Sequence, residues 1–379
     1  MNKIYLDYNA STPVDPRVLE EMLPYLKDKY GNPSSSHSFG VACRAGMEQA
    51  RERVAGLLGC EASEIIFTSG ATESNNMVIK GIATRASAGS HIITSRIEHP
   101  AVLEPCRFLE RQGCAVTYLP VDRYGMVDPD DLAKAVTPKT VLVSVMHANN
   151  EVGTIQPVAD LARIAASRNI PFHTDAAQSV GKVRCRVDEL GVDFLTVAGH
   201  KLYAPKGVGA LYIKSGSKIE PLMHGAGHER GLRPGTENAP YIVGLGMACG
   251  VAAPLLESEG GRQARLGQRL FEGLKKAGLA VHLNGHPEMK LPNTWNISFE
   301  RHNALSVMEA LKNVAVSPGA ACHGDSVEPS SVLTAMGTDP ALARGAIRFS
   351  FGRETTEAEI DTVVEMIKKN LKSQASNNK

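Results

Sequence analysis

From Glu64 to Ile213 the chain alternates short β-branched runs with segments of helical period, and this rhythm restricts the fold more than any other feature. Strand-like runs are Glu64-Ile65-Ile66-Phe67-Thr68-Ser69, His91-Ile92-Ile93-Thr94-Ser95, Ala115-Val116-Thr117-Tyr118-Leu119 and Thr140-Val141-Leu142-Val143-Ser144-Val145-Met146. Ile170-Pro171-Phe172-His173-Thr174 and Phe194-Leu195-Thr196-Val197-Ala198 continue the series, and residues 77–82, 102–111 and 129–136 have helical spacing between strands. Parallel strands need long crossovers, usually helices, so the pattern predicts an α/β fold with a mostly parallel sheet covered on both faces. Functional groups in such sheets gather at the carboxyl ends of the strands.

Several reactive or polar residues fall at those ends. Lys201 follows the run 194–198 in Gly199-His200-Lys201, ahead of a Gly/Pro-rich loop and a last strand through Ile213. A lysine partly withdrawn from water loses its proton and attacks carbonyls, whereas a solvated one stays a surface cation. Both readings are open for Lys201 taken alone. Gly70-Ala71-Thr72-Glu73 joins a strand to a helix, which offers free backbone N–H groups to a phosphate or merely caps the helix. His99, Asn149, Asn150, Glu151 and Asp175 also lie just past strand-like runs, where turn and capping roles compete with chemistry.

Composition narrows the class. With 379 residues, 43% of them hydrophobic, the chain can bury a large core and divides into a large domain at 15–255 and a smaller one made of 1–14 and 256–379. Basic residues number 41 and acidic ones 40, a net charge of +1, so a nucleic-acid partner is not expected. Met1-Asn2-Lys3-Ile4-Tyr5-Leu6-Asp7 lacks the layout of a secretory signal, and no apolar run reads as a membrane span. Seven scattered cysteines without Cys-x-x-Cys spacing suggest reduced thiols and the cytoplasm. His224 with His228 and His282 with His286 have metal-like spacing, but Gly225, Gly227 and Gly285 argue against the helical face such ligands need.

Taken together the strand-end residues have one chemical logic. A lysine that forms a covalent bond to an aldehyde, an acid for a pyridine nitrogen, a phosphate-binding helix start and a ring to stack on are what pyridoxal 5'-phosphate requires. Lys201, Asp175, Ala71-Thr72 and His99 fill those roles.

At this point the chain resembles a known family. Tyr5-Leu6-Asp7-Tyr8-Asn9-Ala10, Gly31-Asn32-Pro33-Ser34-Ser35, Thr68-Ser69-Gly70-Ala71-Thr72-Glu73-Ser74, Asn149-Asn150-Glu151, Asp175-Ala176-Ala177-Gln178, Gly199-His200-Lys201 and Arg233-Pro234-Gly235-Thr236-Glu237-Asn238 are similar, in family order, to the cysteine desulfurases and selenocysteine lyases of the class V aminotransferase group. The resemblance implies fold-type I architecture, with a mostly parallel seven-stranded sheet in the large domain and a smaller α+β domain. It implies that Lys201 holds the cofactor, Asp175 its pyridine nitrogen and Gln178 its phenolic oxygen, with His99 stacked on the ring and acting in catalysis. Ala71, Thr72 and His200 would hold the phosphate, and Thr236 would reach the phosphate of a neighbouring subunit in a homodimer with shared sites. Asn32, Asn150 and Arg348 would face substrate, Arg348 clamping its carboxylate.

The nucleophile implied is Cys322, in Gly319-Ala320-Ala321-Cys322-His323-Gly324-Asp325, a stretch whose small residues read as a mobile, accessible loop. The expected reaction removes sulfur or selenium from L-cysteine or L-selenocysteine, leaves L-alanine, and passes the chalcogen to an acceptor protein. Two features lean towards selenocysteine lyase: Ala198 stands where desulfurases commonly have serine, and His323 follows the cysteine. A strict desulfurase, a class V transaminase that needs no cysteine, and a sulfur-relay scaffold are the alternatives.

Overall fold

The computed structural model describes residues 3–323 and 326–377, of which 320–323, 326–328 and 372–377 are described as backbone alone. The alternating region forms a seven-stranded sheet, in spatial order Ile65–Thr68, Gly209–Ile213, Phe194–Ala198, Phe172–Asp175, Thr140–Ser144, His91–Ser95, Ala115–Leu119. Gly209–Ile213 runs antiparallel to both neighbours, and the other pairings are parallel. Period-two alternation sends successive side chains to opposite faces, and both faces are buried. Ile65, Phe67, Val143, Leu195 and Val197 enter one apolar cluster. Ile66, Ile92, Leu142, Phe194 and Leu211 enter another.

A second sheet is antiparallel, in the order Ser317–Pro318, Ala346–Ser350, Thr294–Phe299, Val281–Asn284. Helices Leu256–Lys276, Ala304–Ala310 and Glu357–Asn377 cover it, and Leu270, Trp295, Ile297, Phe349, Ile360 and Val363 share its core. The N-terminal residues join this core: Ile4–Tyr5 pairs in parallel with Val314–Ala315, and Ile4 and Leu6 are buried among the same side chains. From there the chain crosses to the large sheet. Asn9 and Thr12 are buried at the crossing.

Two sequence expectations need correction. The run Ala239–Lys276 is long and apolar enough, by length and composition, to cross a membrane, against the expectation of no such run. Its apolar part, helix Ala239–Ala252, is instead buried against helix Ser38–Leu58, where a Cβ on Gly246 would lie 2.4 Å from the Ala50 Cα. Glycine there permits backbone-to-backbone approach, which is why the helix can be apolar on every side. The stretch around Cys322 is also more regular than a loop: Ala320–His323 pairs with Ser326–Pro329 as an antiparallel hairpin, Cys322 opposite Val327. Small residues say little about pairing, so the sequence does not signal the hairpin.

One close approach shapes the edge where the site lies. Gly70, at φ 149, adopts a backbone conformation reserved for glycine, and a Cβ on Gly209 would lie 2.7 Å from the Gly70 Cα. The turn after the first strand is thereby pressed onto the start of the antiparallel strand. Gly209→Ala is expected to lower the unfolding free energy by about 1–3 kcal/mol in urea titrations. An unchanged urea midpoint would contradict this account of the contact.

Candidate active site

Six segments meet at the carboxyl edge of the large sheet around a cavity of about 560 Å³. Ala71, Thr72, His99, Asn150, Asp175, Gln178, His200 and Lys201, all expected from sequence, line it together. Asn32, Thr236 and Arg348 do not. Asn32 is exposed and its Oδ1 accepts from the Ser34 N–H at 2.9 Å, so it closes a local turn. Thr236 is exposed and lies outside this chain's cavity. The side chains of Cys322 and His323 fall outside the described residues.

Lys201 ends the turn Gly199–Lys201, directly after strand Phe194–Ala198. Its Nζ donates to the backbone oxygens of Asn9 and, at 3.0 Å, of Ala10. Burial, reinforced by the nearby Arg348 charge, pulls its pKa down to about 8 despite the opposing pull of Asp7 and Asp175. The amine is therefore free of its proton at mildly alkaline pH, as attack on an aldehyde requires.

Asp175 closes strand Phe172–Asp175 and is buried. Its Oδ2 accepts from Asn75 Nδ2 at 2.7 Å and its Oδ1 from the Ala177 N–H at 2.9 Å. Fixed by two donors, the carboxylate is oriented as a partner for a protonated ring nitrogen would need to be. His99 caps helix Pro100–Arg111, its Nδ1 accepting from the Ala101 N–H at 3.1 Å. Burial and Lys201 hold its pKa below the ordinary value, with Asp175 opposing. A neutral ring that accepts at Nδ1 carries its proton on Nε2.

The start of helix Ala71–Arg85 has no side-chain cap among the described residues, and its first residues line the cavity. Open N–H groups and the positive helix end suit an anion. Glu73 also lines the cavity and is tied on both oxygens, its Oε2 accepting from the Ser69 N–H at 2.7 Å and its Oε1 from Arg233 Nε at 3.0 Å. His200 is pushed down to about 4 by burial and by Lys201, Lys206 and Lys182, so it is neutral and has a ring N–H to offer. The Ala198 methyl group forms part of the wall where a hydroxyl was expected to be missing. Uncapped helix start, depressed lysine and anchored aspartate together fit pyridoxal phosphate.

Arg348 stands one layer back. Its Nη2 donates to Asp7 Oδ1 at 2.8 Å and Ser317 Oγ at 3.0 Å, and its Nη1 to the Asn150 oxygen at 2.9 Å. Its buried Nε has no hydrogen-bond partner among the described residues. Sequence reasoning misses four participants: Asp7, Asn9, Asn75 and Lys182. Asn9 is the most consequential, since its Oδ1 accepts from Lys182 and Asn293 while its Nδ2 donates to Thr294 Oγ1 and to the Asn150 oxygen. Asn9 and Asn75 stand inside or beside the strings that carry the resemblance, so position along those strings is the available signal.

Comparison with known proteins follows the same lines. Residues 4–363 match the family model described as aminotransferase class-V. A cysteine desulfurase IscS of Dictyoglomus turgidum is 49% identical over 97% of this chain and 94% of its own. The human cysteine desulfurase is 49% identical over 96% of this chain and 81% of its own. A solved NifS-like protein superposes with a TM-score of 0.92 at 43% identity, covering 98% of this chain and 99% of that one. A structure of SspA in complex with cysteine gives 0.82 at 42% identity, over 92% and 98%.

The depressed amine gives a direct expectation. In cofactor-free protein, competitive acylation read by peptide mass spectrometry should show Lys201 reacting with a pH midpoint near the value of about 8. A midpoint at the ordinary lysine value of roughly 10.4 would mean the amine is solvated.

Proposed function

This chain belongs to the class-V aminotransferase family, within its pyridoxal phosphate-dependent cysteine desulfurases, and on that premise we propose that it takes sulfur from L-cysteine, leaving L-alanine and a persulfide on Cys322. The observation that carries the reading is Lys201, its pKa lowered to about 8, in one cavity with Asp175 and the uncapped start of helix Ala71–Arg85. The cofactor, when bound, supplies an aldehyde that captures amines and a ring that accepts electron density.

The protein's own residues do the rest. Lys201 would anchor the cofactor, and its Nζ, when free, would receive the substrate's α-proton. Asp175, held by Asn75 and the Ala177 N–H, keeps the ring nitrogen protonated. Gln178, His99, Thr72 and His200 all line the cavity; Gln178 would donate to the phenolic oxygen, His99 would cover the ring, and Thr72 with His200 would hold the phosphate. Arg348 meets the substrate carboxylate through its Nε, which has no partner among the described residues, and a neighbouring Nη, loosening its bond to Asp7 or Ser317. The Cys322 thiolate attacks the substrate sulfur: a sulfur–sulfur bond forms, the carbon–sulfur bond breaks, and the electron pair stays with the alanine carbon until a proton is added. Its hairpin leaves the second sheet just after Ser317–Pro318, whose Ser317 pairs with Arg348, so the nucleophile's backbone starts beside the carboxylate clamp. The persulfide then passes to an acceptor protein.

A homodimer is part of the proposal. Leu19, Leu23 and Leu26 on helix Pro16–Lys27, Phe39 and Val41 at the start of helix Ser38–Leu58, and Tyr30 between the two are exposed, an apolar surface suited to a second copy. Exposed Thr236, outside its own cavity, is then available to the partner's phosphate site. Cys43, Cys106, Cys185 and Cys249, all buried and unpaired among the described residues, support a reducing compartment such as the cytoplasm. L-Selenocysteine is the second substrate, favoured by Ala198 and by His323 beside Cys322.

Cys322→Ala should keep the cofactor's visible band while alanine formation from L-cysteine falls at least about 100-fold. Full turnover by that variant with both amino acids would remove the cysteine from the mechanism. Rates for L-cysteine and L-selenocysteine on one preparation should be comparable within about tenfold if both are substrates, and a selenocysteine rate many orders lower would exclude the second.

A further inference from the structure

One buried lysine near the site has no part in the reaction so far. Strand Phe172–Asp175 runs into a turn that places Gln178 and Lys182 one helical turn apart, the chain passing Gly181 at φ 78. Lys182 Nζ donates to Gln178 Oε1 at 3.0 Å and to Asn9 Oδ1 at 3.1 Å. Gln178 lines the cofactor cavity, whereas Lys182 stands behind it, beside a small separate void. Burial, together with the charges of Lys201 and Arg348, depresses its pKa well below the ordinary lysine value.

The Gln178 amide could face either way, and its neighbours choose. Its Nε2 meets the backbone oxygen of Asn9 at 3.0 Å, a group that only accepts. Its Oε1 meets an amine, which donates whether charged or neutral. Turning the amide over would set oxygen against oxygen at Asn9 and leave Lys182 without one acceptor. One Nε2 hydrogen is used on Asn9, and the second remains for the cavity.

We propose that Lys182 is a positioning residue which, by holding Gln178 Oε1 from behind, keeps the donor edge of that amide towards the phenolic oxygen of the bound cofactor. The inference rests on the placement of Gln178 beside that oxygen in the proposed function. A donor on a phenolate draws off charge that would otherwise retain the proton on the nitrogen shared by cofactor and Lys201. Losing the donor therefore raises the pH at which that proton leaves.

The test reads the pH midpoint of the visible band in cofactor-loaded wild type, Lys182→Met, Gln178→Ala and the double variant. Both single variants should shift the midpoint upward by about one pH unit, the worth of one hydrogen bond to a charged group. The double variant should move no further than Gln178→Ala alone. An unmoved midpoint in Lys182→Met, with Gln178→Ala shifted, would overturn the inference and leave the Gln178 placement standing. Fully additive shifts would overturn it too, because Lys182 would then act independently of Gln178. An unmoved midpoint in Gln178→Ala would overturn the placement and the inference together. Where Lys182→Met does not load cofactor, Lys182→Leu is judged by the same criteria.

Discussion

Keeping an ammonium group out of water is costly, and the site is built around that cost at Lys201. The amine is hemmed in by the N-terminal segment, with the backbone oxygens of Asn9 and Ala10 on it and the Arg348 charge nearby. Those oxygens accept a hydrogen bond from the neutral amine as well as from the ammonium, so they hold the group in place without restoring its charge. The folded chain gives up this proton near pH 8, whereas an unfolded chain keeps it to the ordinary lysine value. Between the two the unfolded state binds this proton and the folded state does not, so the contribution of Lys201 to the stability of the cofactor-free protein rises with pH across that window.

The same constraint explains why the N-terminus is woven into the site. Ile4 and Leu6 are fixed in the second core, so Asn9 arrives at the large sheet as a rigid, buried crossing point. Its backbone oxygen accepts from Lys201 and Gln178, its side chain from Lys182 and Asn293, and its own N–H donates to Ser350 Oγ at 2.9 Å. A bundle of buried polar groups this dense is stable only when each member is satisfied. Asn9 thereby couples the position of the cofactor-bearing lysine to the sheet that carries Arg348 and leads into the cysteine hairpin.

Much of this arrangement is legible in the amino-acid sequence. Short apolar, β-branched runs such as 65–68 and 194–198 announce buried strands, and the carboxyl-end rule then places Asp175, His99 and Lys201 on one edge. Contacts between distant segments leave no such trace. Nothing local marks Asn75 as the partner of Asp175, a hundred residues away, or Asn9 as the partner of Lys182. Apolar helix Ala239–Ala252 is similarly opaque, because burial on all sides erases the amphipathic signal that distinguishes a packed helix from other apolar segments. Motif strings name the neighbourhood of Asn32, Thr236 and Arg348, but only packing decides that none of them lines the cavity of their own chain.

The account stands on which amine carries the cofactor. Lys201 and Lys206 both line the cavity, with Lys182 just behind, and they differ in what surrounds them rather than in chemistry. Reducing the pyridoxal phosphate-loaded protein with borohydride and mapping the pyridoxyl group by peptide mass spectrometry separates them. The modification should fall on Lys201 alone; finding it on Lys206 or Lys182, or on no lysine, would contradict the site described.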